Sequence, residues 1–244
     1  MLITSLENER IKGYVKLKER KYRKKTKTFI VEGFHSVLEA YKSGNIIELI
    51  IEKDVELPFD VPTIYVTKEI INKISSVDAP TNIMALCKMK EEKIEYGNKI
   101  LLLDNVQDPG NLGTIIRSAA AFDIDSIVLS SDTVDMYNPK VVRSTQGMLF
   151  HIPIVVKDLE SVIDELKEKE IPIYGTRVEY GEDVTNLKEK DKKRFALIMG
   201  NEGSGVSSNI LDKCDKSLFI DMNERVESLN VAVATSILLY ELNK

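Results

Sequence analysis

The chain has 244 residues, of which 43% are hydrophobic and 30% charged, with two cysteines, two histidines and a formal net charge of −5. This length predicts one large domain or two modest ones. The longest apolar run, NVAVATSILLY, is too short to span a bilayer, and the N-terminus lacks the apolar core of a signal peptide, so we expect a cytoplasmic protein without a membrane segment. The two cysteines lie far apart in sequence, which predicts free thiols, and only two histidines are present, which disfavours a metal site.

Positive charge is concentrated at the N-terminus. Residues 1–30 contain ten Lys/Arg and three acidic residues, a local net charge of +7, which leaves about −12 for the rest of the chain. This asymmetry is typical of a phosphate-facing segment on an acidic protein. The segment also fits a solvated amphipathic helix, because Ile11, Val15 and Leu17 supply an apolar face. Composition alone leaves both interpretations open.

The first ninety residues have the pattern of a small α/β unit. Hydrophobic periodicity and turn residues predict, in order, a basic helix over 9–20, a strand over 28–31, a helix over 33–42, strands over 46–52 and 63–66, a helix after Thr67 and a strand over 82–89. The charged stretch KMKEEKIEYGNK predicts a linker over 91–98. This linker would separate a domain of residues 1–90 from a second domain of residues 99–244.

Strands and helices alternate in the second domain. The pattern predicts strands over 100–103, 126–129, 152–156, 171–174, 195–199 and 218–220, with helices from Leu112, over 159–169, near Ser207 and over 229–242. Short apolar strands separated by helices predict a parallel sheet buried on both faces. Three strand-to-helix loops are unusually polar or glycine-rich: DNVQDPGNLG, GNEGSG and DMNERVES. Because such loops share one edge of a parallel sheet, we expect them to meet in a ligand site.

The helix after the first loop carries one arginine among apolar residues. Asn111 is expected to cap this helix, as Ser228 is expected to cap the last one. Arg117 lies off the apolar stripe that contains Ile115 and Ile116, and taken alone it is compatible with a solvated helix arginine. The glycines of GNEGSG allow backbone to approach a ligand closely, whereas no G-x-G-x-x-G or G-x-S-x-G motif is present.

Taken in this order, DPGNLGTIIRSAAAF, IMGNEGSGVS and SLNVAVA resemble the three motifs of the SpoU-type (TrmH-like) RNA 2'-O-methyltransferases of the SPOUT superfamily. The segment NERIKGYVKLKERKYRKKTKTFIVEGFHSVLEA is similar to that family's substrate-binding domain. The resemblance implies an α/β protein: a trefoil-knotted, parallel-sheet methyltransferase domain preceded by a small ribosomal-protein-like substrate-binding domain, assembled as a homodimer. The implied reaction is methyl transfer, without a metal, from S-adenosylmethionine to a ribose 2'-hydroxyl of structured RNA, ribosomal RNA in preference to transfer RNA.

The resemblance also implies site residues. The characteristic polar positions of the family match Asn111, Arg117, Glu202, Ser228 and Asn230. Of these, Arg117 matches the catalytic arginine, and S-adenosylmethionine would be held by groups around Thr176, Gly200, Ile220 and Leu229. The family usually has proline and glycine where this chain has Asp221 and Glu224. Two alternatives are a non-catalytic RNA-binding protein, disfavoured by the complete polar set, and a nucleotide-dependent oxidoreductase, disfavoured by the missing glycine fingerprint.

Overall fold

The structure is a computed structural model that describes residues 2–55, 59–90 and 95–244, so residues 91–94 of the predicted linker lie outside the described part. The chain divides into two compact units. The first contains residues 1–91 and 135–151, and the second contains residues 92–134 and 152–244. The sequence pattern places segment 135–151 in the second domain, whereas the fold groups it with the first unit.

The first unit contains a five-stranded mixed sheet. In spatial order its strands are β1 (Leu2–Ile3), β4 (Thr63–Val66), β3 (Ile46–Glu52), β5 (Ile83–Lys88) and β2 (Thr28–Glu32). The pairs β1–β4 and β4–β3 are parallel, and β3–β5 and β5–β2 are antiparallel. Helices α1 (Glu9–Lys16) and α4 (Lys68–Ile74) bury their apolar side chains against Ile50 and Met84 of this sheet. Helix α3 (Phe34–Lys42) packs on β2 and β5.

The basic N-terminal segment forms two helices, so the prediction of one helix over 9–20 is wrong. Helix α1 ends at Lys16, and α2 (Arg20–Thr26) begins after Glu19, whose backbone is extended. The guanidinium of Arg23 explains the break, because its Nη1 donates to the carbonyl oxygens of Leu17 at 2.8 Å and Lys18 at 2.7 Å. These carbonyls have a side-chain partner where a continuous helix would have used backbone N–H groups.

Segment 135–151 contains a short helix that the sequence pattern did not predict. Helix α6 (Pro139–Ser144) has six residues, too few for a periodic apolar signal, and a 3-10 turn follows at Met148–Phe150. The rings of Tyr137 and Phe150 pack on Phe29, with centroids 4.7 and 6.1 Å away. This packing buries Phe29 to 1% exposure and makes the segment part of the first unit's core.

The second unit contains a seven-stranded sheet. In spatial order its strands are β10 (Glu182–Asp183), β12 (Lys216–Phe219), β9 (Ile173–Thr176), β11 (Phe195–Met199), β6 (Lys99–Leu103), β7 (Ser126–Leu129) and β8 (Ile154–Val156). All of its registered pairs are parallel, which confirms the predicted sheet. The strands that were predicted lie within two residues of their expected bounds, and the two-residue strands β1 and β10 were not predicted.

Helices cover this parallel sheet. On one face Ile100 and Leu102 of β6 pack with α7 (Leu159–Glu168) and with Ile210 of α9 (Ser208–Leu211). Because side chains alternate along a strand, Leu101 and Leu103 point to the other face, and both are fully buried. The remaining helices are α5 (Pro109–Ala121), α8 (Glu189–Lys192) and α10 (Val231–Leu242). Across the residues that the structure describes, no helix is long and apolar enough to cross a membrane.

Candidate active site

The three unusual loops meet at the carboxyl edge of the parallel sheet, as predicted. Asn111 Nδ2 donates a hydrogen bond to Glu202 Oε1 at 3.0 Å, and Asn230 Nδ2 donates one to Asn111 Oδ1 at 2.9 Å. Because the ionised Glu202 carboxylate can only accept hydrogen bonds, Asn111 must present its nitrogen to Glu202. The oxygen of Asn111 is then free to accept from the nitrogen of Asn230. We call Asn230, Asn111 and Glu202 the Asn–Asn–Glu chain; it joins the first two loops to the residue that caps the helix after the third loop.

The start of α5 differs from the prediction. Its N-cap is Asp108, whose Oδ1 accepts hydrogen bonds from the N–H groups of Gly110 at 2.7 Å and Asn111 at 3.0 Å. The helix begins at Pro109, since proline has a helical φ and lacks the N–H that would have no partner at this position. The expectation that Asn111 caps a helix from Leu112 is therefore wrong, and its side chain binds Glu202 instead.

The start of α10 also differs from the prediction. Asn230, and not Ser228, is the N-cap, because Asn230 Oδ1 accepts from the N–H groups of Ala232 at 2.9 Å and Val233 at 3.3 Å. Asn230 thus uses its oxygen for the helix and its nitrogen for Asn111. Ser228 is exposed and lies in an irregular segment, and so do Asp221 and Glu224.

Glu202 is held in place by several donors. Besides Asn111, the backbone N–H groups of Gln107 and Asp108 donate to its carboxylate at 3.1 and 2.9 Å. Partial burial would raise the pKa of Glu202, but these hydrogen bonds outweigh burial and lower the pKa below its ordinary value. Glu202 is therefore ionised at neutral pH, where it organises the loops and is poorly suited to act as a general base.

Arg117 has a different environment on the same helix. The stripe of Leu112, Ile115, Ile116 and Ala119 is fully buried, whereas Arg117 is exposed. Among residues 2–55, 59–90 and 95–244, no hydrogen bond or ion pair holds its guanidinium. A planar group with five N–H donors is thus available to an anionic ligand.

A cavity of about 160 Å³ lies at this edge of the sheet. Its walls include the four residues implied for the cofactor together with two of the polar residues: Thr176, Gly200, Ile220, Leu229, Glu202 and Ser228. Apolar side chains of Met199, Leu218 and Leu238 complete it. Apolar side chains and polar backbone groups line the same cavity, which suits the apolar faces and the hydrogen-bonding edges of a purine ring. The residues present therefore fit the adenine moiety of S-adenosylmethionine.

The GNEGSG loop forms one wall of the cavity through its backbone. Asn201 and Gly205 exchange two backbone hydrogen bonds of 3.0 Å, which folds the loop back on itself. A Cβ atom at Gly200 would lie 2.0 Å from the carbonyl carbon of Gly205, so no side chain fits there. Gly205 itself has φ +70°, a conformation that favours glycine. Gly200 and Gly205 are thus needed for the shape of this wall.

Sequence reasoning missed two polar residues of the site. Asn201 and Asp104 both hydrogen-bond between the first and second loops, with partners about a hundred positions away in sequence. Each follows a buried strand within two residues, a position where polar side chains reach the ligand edge. A polar residue directly after a buried strand was therefore the signal by which both residues could have been found. This signal does not show which residue each of them binds.

Comparisons with known proteins define the family. Residues 98–240 match the SpoU rRNA Methylase family, and residues 8–85 match the MRM3-like substrate binding domain. The chain therefore belongs to the SpoU rRNA methylase family. Both the expected family and the expected parallel α/β fold are confirmed.

Individual relatives match nearly the whole chain. The 23S rRNA (guanosine(2553)-2'-O)-methyltransferase RlmP of Bacillus subtilis (strain 168) is 42% identical, with 98% of each chain covered. The crystal structure of an AdoMet-bound rRNA methyltransferase from Sinorhizobium meliloti is 30% identical with a TM-score of 0.89, covering 99% of this chain and 97% of that one. The SpoU methyltransferase AviRb from Streptomyces viridochromogenes, in complex with AdoMet, is 26% identical with a TM-score of 0.87 and 97% coverage of both chains.

Proposed function

We propose that the protein transfers the methyl group of S-adenosylmethionine to a ribose 2'-hydroxyl of 23S ribosomal RNA. The observation that carries the proposal is the Asn–Asn–Glu chain beside a cavity that fits adenine, with an exposed arginine on α5. The full-length identity to RlmP supports ribosomal RNA over transfer RNA, and the guanosine in that enzyme's name is the first position to examine.

The cavity residues would hold the cofactor. Backbone groups around Gly200, Ile220 and Leu229 would contact the adenosine, and Thr176 lies beside them in the same wall. The Thr176 hydroxyl donates to the carbonyl oxygen of Ile198 at 2.9 Å, which fixes this part of the wall. When bound, S-adenosylmethionine supplies an electrophilic methyl group. The two full-length structural relatives that contain AdoMet support this assignment.

Arg117 has the role of orienting the acceptor. Methyl transfer requires the 2'-oxygen in line with the methyl group, and it requires loss of the hydroxyl proton. A guanidinium stays protonated in proteins, so it is a poor proton acceptor. We therefore assign to Arg117 bidentate hydrogen bonds to the phosphate next to the target ribose. The proton of the 2'-hydroxyl would pass to that phosphate or to solvent. Ser228, on the cavity wall, would complete the polar surroundings of the ribose.

The first unit would supply most of the attraction for RNA. Seven exposed cations lie between residues 16 and 27, and we call them the basic surface: Lys16, Lys18, Arg20, Lys21, Lys24, Lys25 and Lys27. The acidic residue within this stretch, Glu19, pairs with Lys21 at 2.9 Å. A surface with so large an excess of positive charge suits the phosphate backbone of structured RNA.

Other features of the proposal come from the sequence. Family resemblance supports a trefoil knot in the methyltransferase domain and a homodimer. Composition supports a cytoplasmic location and the boundaries 1–90, 91–98 and 99–244, from which the fold departs in segment 135–151. Light scattering tests the homodimer, which would have about twice the chain mass of 27.6 kDa. A mass equal to one chain at micromolar concentration would contradict it.

Methylation in vitro tests the central reaction. Purified protein is incubated with methyl-labelled S-adenosylmethionine and an unmodified 23S rRNA transcript, with bulk transfer RNA as the competing substrate. We expect label at one nucleotide of the 23S transcript, where the modified ribose resists alkaline cleavage. Label on a base or on transfer RNA would contradict the proposed substrate. Absence of S-adenosylmethionine binding in calorimetry would instead favour a non-catalytic RNA-binding protein.

A further inference from the structure

The second loop is attached to the first at both of its ends. At the start of GNEGSG, Asn201 Nδ2 donates to the backbone carbonyl oxygen of Asn105 at 2.8 Å. Just after the loop, the N–H and hydroxyl of Ser207 donate to Asp104 Oδ2 at 2.8 and 2.6 Å. The wall of the cofactor cavity is therefore fixed to the two residues that directly follow β6.

The two halves of the Asn201 amide have different partners. Its oxygen accepts hydrogen bonds within the loop, from the N–H groups of Gly203 at 2.9 Å and Ser204 at 3.1 Å. Its nitrogen instead donates to the carbonyl oxygen of Asn105 in the first loop and, at the longer distance of 3.4 Å, to Glu202 Oε2. The oxygen thus shapes the turn that lines the cavity, and the nitrogen connects that turn to the neighbouring loop.

Asn105 lies next to the residues that hold Glu202. Its backbone has φ +60°, and its N–H donates to the hydroxyl of Ser130 at 2.9 Å, so its carbonyl has a fixed direction. Two and three residues later, the N–H groups of Gln107 and Asp108 bind the Glu202 carboxylate. A shift of Asn105 would therefore move the segment from which α5 begins.

We propose that Asn201 is a positioning residue that sets the distance between the cofactor-lining loop and the loop that leads into α5, the helix that carries Asn111 and Arg117. This inference rests on the proposed methyl transfer, because it concerns the alignment of donor and acceptor. In-line transfer is sensitive to geometry, and a misplacement of about 1 Å can cost about a hundredfold in rate. The nitrogen of Asn201 thus acts on the rate through alignment, and its oxygen acts on cofactor binding through the turn.

Two substitutions separate these two functions. Asn201→Asp and Asn201→Ser each keep an oxygen that can accept the loop N–H groups. Ionised aspartate has no hydrogen to donate to Asn105, and the serine hydroxyl, although a donor, is on a side chain one atom shorter than the amide nitrogen that spans this gap. Serine also adds no charge beside Glu202. We expect both to lower the single-turnover rate at saturating RNA and S-adenosylmethionine by about 10- to 100-fold, with the Kd for S-adenosylmethionine changed less than about threefold. Asn201→Ala loses both functions, so it should lower the rate and weaken cofactor binding.

Asn209→Asp provides the matched control. Asn209 is exposed on α9, where its Nδ2 donates to Glu160 Oε1 at 2.7 Å, and its substitution should leave rate and Kd unchanged. The inference fails if Asn201→Ser keeps the wild-type rate, or if all three Asn201 variants lose rate and cofactor affinity in parallel. Failure of the proposed function would appear separately, as a wild-type protein that does not methylate RNA.

Discussion

The charged groups of the basic surface and of the Asn–Asn–Glu chain differ in their surroundings. The seven cations of the basic surface are exposed to water, where they act on a polyanion over a distance and are screened by salt. The Glu202 carboxylate is fixed by hydrogen bonds from Asn111, Gln107 and Asp108, so it acts through geometry. Affinity for RNA and alignment for chemistry are therefore properties of different residues, which can be altered independently.

Two arginines make the same contrast within one residue type. Arg23 is 3% exposed, and its guanidinium is held by Asp135 Oδ2 at 2.6 Å as well as by two backbone carbonyls. Arg117 is exposed, and in the described parts of the chain nothing pairs with it. The first arginine stabilises its unit, and the second is available to a substrate.

The largest effect is expected at Arg117. Arg117→Ala should lower the single-turnover methylation rate by about 10²-fold or more, because the 2'-oxygen is no longer held in line and a misplacement of about 1 Å can cost about a hundredfold. Arg117→Lys should also be impaired, because an ammonium cannot form the two parallel hydrogen bonds of a guanidinium. Lys193→Ala removes an exposed cation elsewhere in the same unit and should have no effect. Near-normal turnover of Arg117→Lys would contradict bidentate binding of the phosphate by Arg117.

The next effect concerns stability. Arg23→Ala should lower the free energy of unfolding by about 3 kcal/mol, because it leaves Asp135 and two carbonyl groups without their buried partner. Urea denaturation measures this change, and the methylation rate per folded molecule should stay within about twofold at saturating RNA. A stable variant with a large loss of rate would mean that Arg23 has a functional role, and the contrast with Arg117 would fail.

The contribution of the basic surface should appear in the salt dependence of RNA binding. Lys24→Gln combined with Lys25→Gln should weaken binding of the 23S transcript and reduce the slope of log Kd against log salt by about one for each phosphate that the variant no longer neutralises. Binding of S-adenosylmethionine should not change. The paired control is Lys190→Gln with Lys193→Gln in the second unit. An equal salt slope for both double variants would contradict the assignment of the basic surface.

The smallest effect is expected from the charge of Glu202. Since its pKa is lowered in the folded protein, ionised Glu202 stabilises the fold above its ordinary pKa, and this contribution is lost as the pH falls through the lower folded value. Glu202→Gln should therefore be less stable than wild type at neutral pH, by under about 1 kcal/mol because the side chain is exposed to solvent on one side. The difference should shrink below about pH 4. A difference that grows toward acid pH would contradict this assignment.

Sequence patterns predicted the parallel sheet and the meeting of three loops because buried strands and strand-to-helix loops have local signals. Strand β11 is apolar along its whole length, and Arg117 stands out against the apolar stripe of its helix. The partners of the polar residues could not be predicted in this way. Asn201 and Asn105 lie 96 positions apart, and the side chain of Asn111 was assigned to a cap because local sequence does not reveal Glu202 as its partner.

A map of ribose methylation in cellular ribosomal RNA is the decisive measurement for the proposed reaction. RNA is compared from cells that contain the gene, cells that lack it, and cells in which the deletion is complemented by wild type or by Arg117→Ala. We predict that one 23S rRNA ribose loses its methyl group in the deletion, regains it with wild type, and stays unmethylated with Arg117→Ala. An unchanged methylation map in the deletion, or full restoration by Arg117→Ala, would contradict the proposed reaction and the role of Arg117 in it.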